Sequence, residues 1–288
     1  MKKAFLQLHL AVFLAGFTAI LGKLIELNEG LLVWYRLLFS AALILIILVV
    51  KKQLHKIALV DFFRIGFVGM ILAFHWVTFY ASVKYANASV AVVCISAAGF
   101  FSALLEPLFF RKAIVWIELI LGAIAVAGIY IIFDFHPHFK VGILFGMLSA
   151  IGSATFPIFN KRLVDRFSPR VLTFYEFVGG MLFLTAALPL YFMYFPPHYY
   201  LPTSTDWLWM TMLVVFCTVW AFDLQLNALK KISAFTSNLT YNLEPLYGVL
   251  LAFLVFKEHQ MLNAQFYLGI GLILLAILLQ MWRVLRKS

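Results

Sequence analysis

A chain of 288 residues that is 65% hydrophobic and only 12% charged cannot cover itself with polar surface, since an average soluble domain is about 45 to 50% apolar and about 25% charged. The net charge of +10 raises nucleic acid as a partner, but a nucleic-acid binder gathers its Lys and Arg on one face or tail, and here they stand singly or in small groups between apolar blocks. The blocks run to roughly 20 residues, enough to cross a hydrocarbon core about 30 Å thick as helices rising about 1.5 Å per residue. The expectation is a polytopic membrane protein whose surroundings are the lipid bilayer, with no nucleic acid.

Apolar blocks closed by charges, Pro or Gly predict ten helices. The first, 5–25, follows Lys2 and Lys3 and has the outline of a signal peptide. Its apolar run is too long for a usual signal core and further spans follow, so it reads as a retained helix. Next come 31–50, with Tyr35 and Arg36 inside it, and 62–82, where His75 and Phe79 share one stripe and Trp76 and Tyr80 another. The fourth and fifth, 88–110 and 114–133, are followed by 141–161, whose Gly142, Gly146, Ser149 and Ser153 share a face suited to close helix packing, continuing to Asn160. The seventh, 170–194, carries Tyr175 and Glu176, and the eighth, 207–228, places Trp220, Asp223 and Asn227 on one stripe. The ninth, 234–256, has Asn238, Tyr241, Asn242, Glu244 and Pro245 near its middle, and 264–284 is the tenth. No appended soluble ATPase is expected. Cys94 and Cys217 fall inside apolar blocks and read as small buried hydrophobes.

Basic residues accumulate on the cytoplasmic side of membrane proteins. With the N-terminus inside, 17 of the 22 Lys and Arg fall at cytoplasmic helix ends, leaving Lys23, Arg36, Lys84, Lys140 and Lys257. Both termini are therefore expected in the cytoplasm.

The halves echo each other. "LVWYRLLFSAALIL" resembles "LTFYEFVGGMLFL", setting Tyr35 and Arg36 against Tyr175 and Glu176, and "ASVKYANASV" resembles "NALKKISAFT", setting Lys84 against Lys230. Five helices per half, an odd number, make equivalent helices cross in opposite directions, and equivalent loops carry opposite basic bias. The predicted repeats are 1–136 and 137–288. "LEPL" occurs at 105–108 and at 243–246, but this register offsets the two by about two turns, so the match is taken as coincidence.

These features, with "YANASVAVV" entering the fourth helix and "TSNLTYNLEPLYGVLLAFLVFKE" in the ninth, make the chain similar to the EamA type of the drug/metabolite transporter superfamily. The fourth helix departs at Ala98 and Gly99, where many relatives carry Pro. The resemblance implies a bacterial inner-membrane carrier, often an exporter of amino acids or other small metabolites, with a central cavity between the halves.

A charged side chain at mid-bilayer costs about 2.5 to 3.5 kcal/mol on insertion scales, so each one faces protein or water. Asn238, Tyr241 and Asn242 share a stripe with Pro245, flanked by Glu244, and Pro245 frees a carbonyl one turn earlier. They read either as a substrate or proton site or as a kink whose Glu bonds a neighbouring helix. Asp223 is a further candidate, with pairing to Lys230 or Lys231 as the alternative. His75, Trp76 and Tyr80 read as cavity wall or as packing. Arg36 and Glu176, at different depths, read as gate residues, or for Arg36 as a side chain reaching toward the interface. Glu106 and Glu118 read as interfacial pairing.

A secondary transporter alternating its access around a midplane cavity is the leading function. An intramembrane enzyme or a channel is the alternative. No GxxxxGK[ST], HExxH or GxSxG pattern occurs in the sequence, and no cofactor or metal site is expected.

Overall fold

The computed structural model describes residues 2–111, 113–135, 137–231, 240–241, 243–261 and 264–287. Helices dominate: α1 (Lys2–Leu24), α2 (Glu29–Val50), α3 (Leu59–Tyr85), α4 (Ala88–Ile95), α5 (Ala98–Phe110), α6 (Trp116–Phe135), α7 (Lys140–Leu163), α8 (Pro169–Phe192), α9 (Ser204–Val214), α10 (Ala221–Leu229), α11 (Glu244–Phe256) and α12 (Ala264–Lys287). Among the described residues seven helical stretches are long and apolar enough to cross a membrane, and three shorter apolar helices, Trp116–Ile132, Glu244–Phe256 and Ala264–Gln280, accompany them. Large side chains such as Leu6, Leu108, Trp116, Tyr130 and Leu254 are exposed on the outside. That apolar surface is far more extensive than a soluble monomer shows and suits contact with acyl chains.

Two predicted spans are interrupted. The fourth breaks after Ile95, where the Ser96 and Ala97 amides reach back three residues to Val93 and Cys94, and α5 resumes at Ala98 without any proline there. The eighth consists of α9 and α10 joined by a π-helix, Val215–Trp220. Of the ninth, the described part is 240–241 and 243–256; Asn238 and Asn242 lie outside the described residues.

Small residues set the packing. α3 is the central strut, lying against α7 and α8, while α2 also packs on α8 and α6 pairs with α12. A Cβ on Gly180 would stand 2.7 Å from the Gly69 carbonyl, and one on Gly128 would stand 2.6 Å from the Gly269 carbonyl. Both seams therefore bring backbone to backbone. In lipid, where apolar side chains gain little by leaving acyl chains for each other, such approach is a main source of helix association.

Helix starts are fixed locally. Asn28 Oδ1 accepts from the Gly30 amide at 2.8 Å and Asn87 Oδ1 from the Val90 amide at 2.7 Å, while Thr203 and Asp206 form a reciprocal capping box on α9. α5 and α11 have 13 residues each, and both end in a left-handed residue, Arg111 (φ 51°) and Lys257 (φ 53°), whose amide bonds a carbonyl four residues back.

Candidate functional site

A cavity of about 430 Å³ runs from the middle of the bundle to the α5–α6 connection at Ala113 and Val115. That end of the bundle holds the start of α1, the ends of α2, α7 and α12 and most of the Lys and Arg; it is called here the basic end. The volume falls in the range of small-molecule sites, about 300 to 1,000 Å³. Its walls mix Leu72, Phe79, Phe156 and Phe222 with polar groups contributed by both halves.

Arg36 lies at the inner end, only 2% exposed. Its guanidinium stacks 3.6 Å from the Trp76 ring centroid. Nε donates to Thr218 Oγ1 at 2.8 Å, Nη1 to the Tyr80 hydroxyl at 2.7 Å and Nη2 to the Cys217 carbonyl at 3.4 Å. The π-helix shapes this contact: its wider turn lets the Thr218 hydroxyl donate to the Leu213 carbonyl, five residues back, at 2.8 Å, while accepting from Arg36. Trp76 is wedged between Phe177 and Phe222, with ring centroids 5.7 and 5.8 Å away. Thus the side chain does not reach toward a helix end.

Of the other expected site residues, Tyr241, Glu244, His75 and Trp76 line the same cavity. Glu244 opens α11, at the turn that Pro245 follows, and lines the cavity together with Arg36. His75 is fixed by Ser149, whose carbonyl and hydroxyl lie 2.9 and 2.8 Å from Nδ1. Tyr80 is fully buried behind the wall, reaching the site through its hydrogen bond to Arg36 and its edge contact with the Phe79 ring.

Asp223 and Glu176 are placed elsewhere. Asp223 is absent from the cavity lining and takes both nitrogens of a fork from Arg170, at 2.8 and 3.1 Å. The short α7–α8 connection brings Arg170, in the first turn of α8, against α10, so the partner is this Arg and neither Lys230 nor Lys231. Glu176 is fully buried outside the cavity, with Asn160 as its polar neighbour.

Several lining groups escaped the sequence reading. Glu106 and Glu118, read as interfacial, both line the cavity, and Glu118 pairs with Arg283 of α12. The repeated Leu-Glu-Pro-Leu string places Glu106 and Pro107, like Glu244 and Pro245, in one cavity wall. Ser96, at the break after α4, and Gln280 line it with Ser96 Oγ and Gln280 Oε1 lacking a protein partner among the described residues.

The opposite end is closed. The fully buried Glu258 accepts from Lys23 Nζ at 2.7 Å, from the Ala88 and Ser89 amides at 3.3 and 2.9 Å and from Ser89 Oγ at 2.6 Å. It thereby ties the end of α1 to the start of α4 and the end of α11. Around it, the Glu26 amide donates to Asp206 Oδ1 at 2.8 Å, Asn28 Nδ2 to the Phe195 carbonyl at 3.1 Å, and Lys84 to the Leu27 carbonyl. The Tyr199 phenol is held above its ordinary range by burial and by its hydrogen bond to Asp206.

A helical bundle with an apolar exterior and an interior cavity carrying charged groups, reached from one end, is built as a multi-pass membrane transport protein. The EamA-like transporter family matches residues 2–134 and again 140–282, so the chain belongs to that family and is a membrane transporter. It is 26% identical over 272 residues to an uncharacterized transporter, YetK, of Bacillus subtilis (strain 168), covering 88% of this chain and 80% of that protein. An uncharacterized transporter of Archaeoglobus fulgidus is 28% identical over 189 residues, 65% of this chain and 68% of its own. A solved crystal structure superposes with a TM-score of 0.68 at 15% identity, covering 100% of this chain and 99% of the other, a likeness of fold alone.

Proposed function

We propose that the chain is a secondary carrier of small metabolites such as amino acids, working by alternating access and exporting from the cytoplasm of a bacterium across its inner membrane. In this reading the ten predicted spans form two inverted five-helix halves, 1–136 and 137–288, with both termini inside. The equal lengths and matching left-handed ends of α5 and α11 support the repeat, because they stand 146 residues apart (98 to 244), as do Lys84 and Lys230 (84 to 230).

The observation that carries the proposal is a cavity holding Arg36 and Glu244 at its inner end, extending to the basic end and shut at the other by the Glu258 cluster. That arrangement is one of the two states an alternating carrier needs, the one loaded from the side where basic residues accumulate. Tyr241, His75 and Trp76 would line the substrate's path, Glu244 would hold a positive group or a coupled proton, and Glu176, about two turns from the basic end, would gate closure there.

Proteoliposomes test it. Saturable flux with counterflow for members of a metabolite panel is the expected result, whereas product formation would show an enzyme and non-saturating flux a channel. Glu244→Gln should lower flux at least about tenfold, the loss of one charge-assisted contact, and flatten its pH dependence. Unchanged rates and pH profile at normal expression would remove Glu244 from the site.

A further inference from the structure

We infer that Arg36 is the anion-binding pole of the cavity and that the transported molecule carries a carboxylate; this rests on the carrier reading above. A guanidinium stays charged in proteins and has five N–H donors in a planar fork. Three of those donors are taken here, all by neutral acceptors: a hydroxyl, a phenol and a carbonyl, the last at a long 3.4 Å. No ion pair joins Arg36 to a carboxylate among the described residues. Yet it is 2% exposed within a membrane protein, where a cation held out of ion-pair contact is expensive.

The protein has gone to some length to hold the group in this state. The Trp76 ring covers one face of the guanidinium, and the π-helix turns Thr218 and the Cys217 carbonyl onto its edge. These contacts fix its orientation without neutralising it. Arg36 borders the cavity, so a molecule entering from the basic end meets it at the closed inner end. A planar fork with two remaining donors matches the two oxygens of a carboxylate.

Charge sets the class further. One guanidinium balances one negative charge, and Glu244, Glu106 and Glu118 line the same cavity, so a phosphate dianion is disfavoured against a monoanion. With Glu244 lining the same cavity as Arg36 and no ion pair joining the two among the described residues, the fitting ligand has a carboxylate for Arg36 and a cationic or protonated group for Glu244. The aromatic wall of Phe79, Phe156 and Phe222 takes an apolar side chain.

The test uses matched probes on the full-length protein in proteoliposomes: phenylalanine and leucine, their amides, and the amines that lack the carboxylate. Counterflow of the amino acids should exceed that of amides and amines by at least about 30-fold. Arg36→Gln should abolish the preference, and Arg36→Lys should restore it in part. The wild-type comparison needs no variant, so it decides even where Arg36→Gln fails to fold. Amines or amides carried as well as their parent acids, an undiminished preference in Arg36→Gln, or transport confined to panel members without a carboxylate would each overturn the inference and leave the carrier reading standing. A chain that moves no member of the wider panel overturns the carrier reading itself, and the inference with it.

Discussion

Removing the negative charge of Glu258 should unlock the closed end. In Glu258→Gln one oxygen remains as acceptor, while the other becomes an amide nitrogen facing the Ser89 amide and hydroxyl, or the Lys23 ammonium if the group flips. Removing one partner of a buried charge pair costs about 3 to 5 kcal/mol. Lys23 is a third exposed, at 33%, so solvent takes over part of the lost contact, and the net change is about 2 kcal/mol. At 1.4 kcal/mol per tenfold, that is a shift of about 30-fold toward a state open at this end, in a carrier whose states lie within a few kcal/mol of each other. Cys217 lines the cavity and serves as the reporter in a Cys94→Ala background. In oriented vesicles, a membrane-impermeant maleimide added at the end opposite the basic one should label Cys217 faster in Glu258→Gln than in the parent. Lys23→Met, which removes the other partner, should act in the same direction. Equal labelling rates in folded parent and both variants would refute the reasoning.

Gly180→Ala should lower the melting midpoint in detergent, because its Cβ would meet the Gly69 carbonyl at 2.7 Å and overpacking costs about 1 to 3 kcal/mol; Gly271→Ala, with nothing within 4 Å of its Cβ, should leave it unchanged or raise it. Asp223→Asn and Arg170→Met should each lower thermal stability by about 1 kcal/mol, a value discounted for side chains 27% and 32% exposed, with flux retained because the pair stands outside the cavity lining. A loss of transport in Asp223→Asn at normal stability would return that residue to the site.

Much of the fold is legible in the sequence because a bilayer leaves few options: apolar blocks of sufficient length must be helices, and the predicted spans lie within a few residues of helices throughout the described residues. Two features were not legible. Nothing in "AVVCISAAGF" marks the break after Ile95, since no proline stands in it and the break shows only in amides that reach back three residues. Nothing in "VFCTVW" marks a π-helix, which differs from an α-helix by one residue's register. The candidate site was read unevenly for a related reason. Periodicity places Glu244, Tyr241, His75 and Trp76 on stripes, and all four line the cavity. Depth along the helix, in contrast, cannot say which way a long side chain turns. Arg36 therefore reads as easily toward the interface as inward, and Glu106 as a surface group, until the partners Trp76, Tyr80 and Thr218 fix the first and the cavity wall includes the second.

The widened turn at Val215–Trp220 also ties together two places otherwise far apart in role. Deleting a single residue there would restore ordinary winding, because the wider turn absorbs one extra residue while the α-helical parts on either side keep their phase. Asp223 would then stay in reach of Arg170, whereas Thr218 or the Cys217 carbonyl would leave Arg36. Sequence length within this span is thus a constraint in its own right: substitutions can be absorbed one side chain at a time, but the extra residue between Leu213 and Asp223 is what opens the turn toward Arg36.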